Sequence, residues 1–237
     1  MCADSAHKTL SVLTGGAYLH VSKEYPEFTE DARWAMSLFA STSPSYLTLS
    51  SLDLCNKRLA EDYPGKIAAV CHFVAETKAS LSKLGFFIEE TEPLKIVINA
   101  NRSCLISEDI ATALREAGIE PEFVDVNYVV LMPSAETAVE DFSKLRWALE
   151  KLSDKKRKAE EQPLYLPLIH ESAMSIRDAV MSKSELVDVE SSVGRICASP
   201  TVSCPPAVPV VISGEVIKAS DIQIFRYYGI DKVCVVC

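Results

Sequence analysis

A hydroxyl, an imidazole and a primary amine lie within four positions of one another near the start of this 237-residue chain, at Ser5, His7 and Lys8. A lysine amine can form a Schiff base with a carbonyl cofactor when it is unprotonated and is held against the electrophile. Hydroxyl, imidazole and backbone N–H groups can bind a phosphate, which would hold such a cofactor beside the amine. By residue type alone the signal is weak, because a lysine near an N-terminus is usually a solvated charge.

A turn follows the segment that contains Lys8. The pair Gly15–Gly16 predicts that turn, and residues 17–21 predict a short strand after it. A helix is predicted from about Thr29, because apolar side chains then follow at helical spacing.

Two more helices are predicted in the same stretch. Ser43 and Pro44 suit the N-cap and the first turn of the first of them, which continues past Leu59. The second spans residues 67–84 and ends at Gly85, a residue that suits the turn after a helix.

Strand and helix patterns alternate in the middle of the chain. A strand is predicted at residues 95–99, a helix at 108–117 with Ser107 as its cap, strand material at 123–132, and a helix from Ser134 to about residue 152. This order predicts a small α/β domain.

The last third differs in composition. A charged run at residues 151–162 predicts a solvated helix end and linker. A helix is then expected around residues 175–182, followed by a Pro-rich segment with strand character up to residue 217. A short apolar strand at 232–237 ends the chain.

Composition excludes several classes of protein. The chain is 48% hydrophobic, which is enough to form a core, and its net charge is −9, with 24 basic and 33 acidic residues. An acidic chain is poorly suited to nucleic acid or to an anionic membrane surface. We find no segment of membrane-spanning length and no leader pattern, so we expect a cytoplasmic protein with reduced cysteines. The pair Cys234 and Cys237 favours strand packing over a metal or redox site, because a zinc site needs two further ligands.

Several longer segments of the chain resemble the motifs of a known protein family. The segments DSAHKTL (4–10) and LTGGAYLH (13–20) closely resemble the cofactor-lysine motif of the bacterial ornithine/lysine/arginine decarboxylases. These are pyridoxal-phosphate enzymes of the aspartate-aminotransferase fold. STSPSYL (41–47) resembles the helix that follows the lysine, and VGRI (193–196) with residues 205–217 resembles the family's C-terminal domain. The resemblance therefore covers nearly the whole chain.

The resemblance implies roles for particular residues. Lys8 matches the lysine that forms the Schiff base with pyridoxal 5'-phosphate. Ser5 and His7 match residues that contact the cofactor phosphate, and His7 also lies beside the Schiff base. Thr42 aligns with a residue that reaches the phosphate of a neighbouring subunit's cofactor, although a helix-capping role is equally compatible with its position. His20 falls within the motif, where we expect a packed or hydrogen-bonded core histidine.

Substrate recognition is less defined. A basic amino acid needs a carboxylate for its distal cation. Glu122 and Asp125 match an acidic pair in the family's small domain, but they could equally be surface acids at a strand edge. Arginine, lysine and ornithine are not distinguished by these residues. The C-terminal motif also departs from the family, with Cys204 where an aromatic residue is usual and Ser213 where a proline is usual.

The resemblance also implies an architecture. We expect an α/β chain that forms the C-terminal part of an aspartate-aminotransferase-type fold and carries an added α+β C-terminal domain. Residues 1–90 would be the end of the large, cofactor-binding domain, 91–155 the small α/β domain, and 156–237 the C-terminal domain. Only seven residues precede Lys8, whereas family members place the phosphate loop and the aspartate for the pyridine nitrogen before the lysine. Much of the large domain's sheet would then be absent, leaving the apolar faces of the helices near residues 29–39 and 44–59 without partners.

Two functions follow as alternatives. The first is pyridoxal-phosphate-dependent decarboxylation of a basic amino acid, performed by an enzyme of which this chain is the C-terminal part and which forms a homodimer or a larger oligomer. The second is a non-catalytic fragment or pseudoenzyme that pairs with a full-length relative. Another enzyme class on the same fold is disfavoured, because the Pro-rich segment resembles the decarboxylases specifically.

Overall fold

The computed structural model describes residues 1–152, 169–199, 203–204 and 208–237. The chain divides into two compact units, Met1–Ala159 and Glu160–Cys237. Both units mix helix and strand, as the sequence predicts. The predicted linker after residue 152 and the motif prolines at positions 200, 205 and 206 lie outside the described residues.

The first unit opens with a small two-stranded sheet and a series of helices. Its elements up to the predicted small domain are β1 (Cys2–Asp4), α1 (Ala6–Thr9), β2 (Tyr18–His20), α2 (Phe28–Phe39), α3 (Tyr46–Glu61) and α4 (Tyr63–Lys83). The strands β1 and β2 pair antiparallel, with Asp4 opposite Tyr18. The helix α3 begins later than its sequence predicts. Its cap is Ser45, whose hydroxyl accepts the Thr48 N–H at 3.4 Å, so Ser43 and Pro44 precede the helix.

A four-stranded antiparallel sheet follows in the same unit. Its strands and helices are β3 (Phe87–Glu89), β4 (Ile96–Asn99), α5 (Ser107–Glu116), β5 (Phe123–Val124), β6 (Tyr128–Leu131) and α6 (Val139–Glu150), with the strand order β3-β4-β6-β5. The predicted strand at 123–132 is a hairpin, because Asp125 and Asn127 form a turn between β5 and β6. The strand β3 is not predicted, because its three residues are too few to show the alternation of apolar and polar side chains that indicates a strand.

The core of this unit lies between the sheet and the helices α4, α5 and α6. Alternate residues of β4 face it, so Ile96 and Ile98 are fully buried while Val97 is half-buried. Leu114 of α5 and Leu149 of α6 are fully buried against the same face. The helix caps differ from prediction, because Ser107 is a buried residue within α5, and Ser134 precedes α6 by a turn.

The unit Glu160–Cys237 is built on a two-stranded ladder. Its elements are α7 (Ile176–Met181), β7 (Ser184–Asp188), a 3-10 helix (Val189–Ser192), β8 (Ser203–Cys204), β9 (Val208–Pro209), α8 (Asp221–Tyr227) and β10 (Lys232–Val236). The strands β7 and β10 pair antiparallel. Phe225, Val233 and Val235 lie in the hydrophobic core of this unit. The predicted helix near 175–182 and the final strand are confirmed, whereas β7 and α8 were not anticipated.

Gly214 in this unit has no room for a side chain. Gly214 adopts a φ of +92°, and a Cβ atom there would lie 2.4 Å from the Met174 carbonyl oxygen. The Gly214 carbonyl accepts the Ala173 N–H at 2.8 Å, so the close approach holds residues 173–174 against the turn. None of the helices described is both long and apolar enough to cross a bilayer.

Candidate functional site

Lys8 lies on α1, which follows directly from the paired strand β1. Ala6 is buried and anchors the short helix, while the Lys8 side chain is exposed. A cavity of about 500 Å³ opens beside it, lined by Asp4, Ser5, Ala6, Lys8, Thr9, Leu10, Tyr18, His20, Asn56 and Leu59. This volume lies within the range of roughly 300–1,000 Å³ that is typical of small-molecule sites.

Ser5 and His7 flank the lysine differently. Ser5 lines the cavity, and its hydroxyl caps none of the helical N–H groups although it precedes α1. His7 is half-buried, and its Nδ1 lies 3.1 Å from the carbonyl oxygen of Gly16. The structure therefore leaves the Ser5 hydroxyl available to a ligand in the cavity and ties the His7 ring to the glycine turn.

Lys8 forms an ion pair with Glu122, which lies 114 positions away in sequence. Glu122 directly precedes β5, and its backbone N–H donates to the Val130 carbonyl at 2.9 Å, which extends the ladder by one residue. The fold thus brings together the predicted cofactor lysine and one of the two predicted substrate carboxylates.

Asp125 is held in a different way. Its Oδ1 accepts the backbone N–H groups of Asn127 at 2.8 Å and Tyr128 at 2.6 Å, which closes the turn between β5 and β6. Burial raises the pKa of the Asp125 carboxyl, and the two hydrogen bonds oppose that shift. In this structure the Asp125 carboxylate stabilises the turn between β5 and β6. Its contact with a substrate stays a prediction.

Thr42 lies in the exposed loop between α2 and α3 and does not line the cavity beside Lys8. Its predicted role, contact with the cofactor of a neighbouring subunit, would need a second chain and stays a prediction. The predicted cap role belongs to Ser45 instead.

Three residues that line the cavity, Tyr18, Asn56 and His20, make contacts that the sequence does not reveal. The Tyr18 hydroxyl donates toward the Leu52 carbonyl at 3.1 Å and the Asn56 Oδ1 at 3.0 Å, which ties β2 to α3. Burial raises the pKa of Tyr18. His20 is exposed rather than part of the core, and its Nε2 lies 3.2 Å from the Asp4 carboxylate. An aromatic residue on a three-residue strand gives no sequence signal for such contacts.

The residues beside the cavity fit pyridoxal phosphate in residue type. The Lys8 amine can bind its carbonyl, the hydroxyls of Ser5 and Thr9 can bind its phosphate, and the rings of Tyr18 and His20 lie in the lining. The Asp4 carboxylate in the same lining is already paired with His20. Cys234 and Cys237 are free thiols, and the described residues contain no group of three or more metal-binding side chains.

Comparison with known proteins identifies relatives by sequence. Residues 158–232 match the family "Orn/Lys/Arg decarboxylase, C-terminal domain". The chain is 30% identical to arginine decarboxylase of Halalkalibacterium halodurans, over 95% of its own length and 49% of the relative. It is 27% identical to arginine decarboxylase of Bacillus subtilis, over 94% of its length and 49% of the relative. The chain thus spans about half the length of these relatives.

Solved structures share the fold. The constitutive lysine decarboxylase of Escherichia coli superposes with a TM-score of 0.75 at 17% identity, covering 99% of this chain and 49% of that one. The lysine decarboxylase of Francisella novicida gives a TM-score of 0.77 at 16% identity, with 99% and 48% covered. Together with the sequence matches, these similarities confirm the resemblance, and the matched part is the C-terminal portion of such proteins.

Proposed function

Because this chain resembles the C-terminal half of the ornithine/lysine/arginine decarboxylases, we propose that it takes part in pyridoxal-phosphate-dependent decarboxylation of a basic amino acid. Lys8 is the residue that binds the cofactor carbonyl. The observation that carries this proposal is the position of Lys8 beside an open cavity, within a segment that resembles the cofactor-lysine motif. Pyridoxal phosphate, when bound, supplies the electron sink for the electron pair left at Cα as carbon dioxide departs.

The residues around Lys8 have separate tasks in this proposal. The Ser5 hydroxyl donates to the cofactor phosphate, and it is not used as a helix cap. His7, held by the Gly16 carbonyl, lies next to Lys8 in sequence and limits where the phosphate and ring can lie. As the resemblance implies, the complete enzyme is a homodimer or a larger oligomer, and Thr42 contacts the phosphate at the neighbouring subunit's site.

Glu122 is the proposed carboxylate for the distal cation of the substrate. Its contact with Lys8 supports this role, because the Lys8 side chain is itself a primary ammonium on a four-carbon chain. A carboxylate that accepts this group can accept the distal ammonium of lysine or ornithine, or a guanidinium with two parallel hydrogen bonds. The proposal therefore covers all three basic amino acids.

Reductive trapping tests the role of Lys8. Pyridoxal phosphate is added to the purified chain, the adduct is reduced with borohydride, and modified peptides are mapped by mass spectrometry. We expect a visible absorbance band and an adduct confined to Lys8. Lys8→Ala should remove both, whereas Lys23→Ala, which changes an exposed lysine outside the cavity lining, should leave them unchanged. An adduct spread over many lysines, without a band, contradicts the proposed cofactor site.

A second candidate function is supported by exposed apolar side chains. On α2, Trp34 and Phe39 are 67% and 88% exposed, and on α3 Leu47 is 74% exposed. Large apolar side chains left this exposed on two consecutive helices favour contact with another protein surface. The alternative is therefore a non-catalytic chain that uses these helices to pair with a full-length decarboxylase.

Co-expression separates the two functions. The chain is produced together with the N-terminal half of the Halalkalibacterium halodurans arginine decarboxylase, and the complex is purified and assayed with arginine, lysine and ornithine. Decarboxylation that is lost in Lys8→Ala supports the enzyme. If decarboxylation is absent, the chain is co-expressed with the full-length decarboxylase instead, and a stable complex that is lost in Phe39→Glu supports the pairing role.

A further inference from the structure

We propose that Glu122 is a positioning residue that restrains the Lys8 amine, and that a cationic ligand at Glu122 releases it. This inference rests on the proposed function for the class of ligand, namely an alkyl guanidinium or alkyl ammonium. It adds to that function a coupling between two sites, because occupation of the cation site would change the reactivity of the lysine.

The two side chains are held from opposite sides. Lys8 belongs to α1, which buried Ala6 fixes, and its backbone N–H donates to the Ser5 carbonyl at 3.1 Å. Glu122 is fixed by the hydrogen bond from its N–H to the Val130 carbonyl. The contact therefore joins two independently anchored backbone segments, and neither segment needs to move for the ion pair to open.

The pair is also accessible to a competing cation. The side chains of Lys8 and Glu122 are 52% and 36% exposed. Water screens such a pair, so it contributes little and opens readily. A guanidinium can engage both carboxylate oxygens of Glu122 at once, whereas Lys8 contacts Oε1. The ligand and Lys8 therefore compete for one carboxylate, and binding of the ligand leaves the amine free.

The consequence for chemistry follows from the amine itself. Lys8 reacts with a carbonyl through the nitrogen lone pair, which exists only after the ammonium loses a proton. The carboxylate in contact with the Lys8 nitrogen holds it in place and blocks one direction from which a carbonyl could approach. Replacing Glu122 by glutamine removes the charge and keeps the shape, so the nitrogen becomes more reactive without a change in the fold.

Competitive acetylation measures this reactivity without any cofactor. The lone pair of the lysine nitrogen attacks a carbonyl carbon of acetic anhydride, acetate leaves, and the proton passes to the buffer. The acetylation rate of Lys8 is measured by mass spectrometry against that of Lys23 in the same chain. We expect Glu122→Gln to raise the relative rate about two- to fivefold, the range for an exposed ion pair. Glu120→Gln is the matched control, because Glu120 pairs with Arg115 at 3.1 Å, and it should leave the rate unchanged.

A second arm tests release by a ligand. Butylguanidine should raise the Lys8 rate in the natural chain and have no effect in Glu122→Gln, whereas tetramethylammonium chloride at the same ionic strength should not raise it. An unchanged rate in Glu122→Gln overturns the restraint, and an unchanged rate with butylguanidine overturns the release. Because acetylation needs no cofactor, these outcomes are separate from the trapping experiment, whose failure would count against the cofactor site alone.

Discussion

Removal of the Asp221 carboxylate should strongly destabilise the unit Glu160–Cys237. The residue is fully buried at the start of α8. Its Oδ2 accepts from Nε2 of buried His170 at 2.8 Å and from the Lys218 N–H at 2.6 Å. Glu215 Oε2 lies 3.8 Å from Nδ1 of the same imidazole. This cluster joins two segments of the unit that are distant in sequence, His170 and residues 215–221.

The expected loss in the free energy of unfolding depends on the buried donors that the substitution leaves without an acceptor. In Asp221→Ala, the His170 Nε2–H and the Lys218 N–H lose their acceptor, and a buried pair broken on one side costs about 3–5 kcal/mol. Asp221→Asn keeps the shape and one acceptor oxygen, so we expect a cost of about 1–3 kcal/mol. Asp188→Ala is the control in the same unit, because Asp188 is exposed and lies 3.9 Å from Lys232. Its effect should stay within about 0.5 kcal/mol.

Hydrogen exchange is the appropriate assay. Both tryptophans, Trp34 and Trp147, lie in the other unit, so fluorescence does not report on this one. The amides of β10 are protected by pairing with β7, and their exchange should accelerate about a hundredfold or more in Asp221→Ala. Exchange at the natural rate in that variant would refute the reasoning that the buried pair stabilises this unit.

Three further predictions concern other parts of the chain. Leu114→Ala should cost about 2–5 kcal/mol in urea unfolding, because the side chain is fully buried between α5 and the sheet; a cost below 1 kcal/mol would mean the site collapses around the cavity. Gly214→Ala should cost more than about 1 kcal/mol in thermal unfolding, because its φ is +92° and the new Cβ would meet the Met174 carbonyl, and an unchanged Tm would contradict this. The raised pKa of Asp125 means that the folded chain binds that proton more tightly than the unfolded chain. The free energy of unfolding should therefore fall as the pH rises from about 3.9 through the raised pKa, and Asp125→Asn should remove that slope.

Features that depend on neighbours along the chain could be predicted from the order of the amino acids alone. Helical spacing predicted α2, α3 and α4, and Gly85 was correctly predicted to follow α4, with a φ of +83°. Gly118 follows α5 in the same way, with a φ of +76°. The motif around Lys8 resembles that of the ornithine/lysine/arginine decarboxylases, and the comparisons with known proteins confirm this resemblance. These signals act within a few residues, so they are visible without a fold.

Short strands and the exact capping residues of helices were harder to predict from the sequence. The choice of Ser45 over Ser43 as a cap depends on where the α3 helix can begin, and several serines in that segment are chemically suitable. The split of residues 123–132 into two strands depends on the turn that Asp125 closes. One side chain decided each outcome, Ser45 for the cap and Asp125 for the turn, and composition and periodicity average over such details.

The contacts between residues far apart in the chain could not be predicted without the fold. Lys8 and Glu122 are 114 positions apart, and His170 and Asp221 are 51 apart. No local pattern sets which of many carboxylates meets a given cation, because that depends on strand order and on how segments pack over the core. Sequence could therefore name Glu122 as a carboxylate of interest, and only the fold brought it to Lys8.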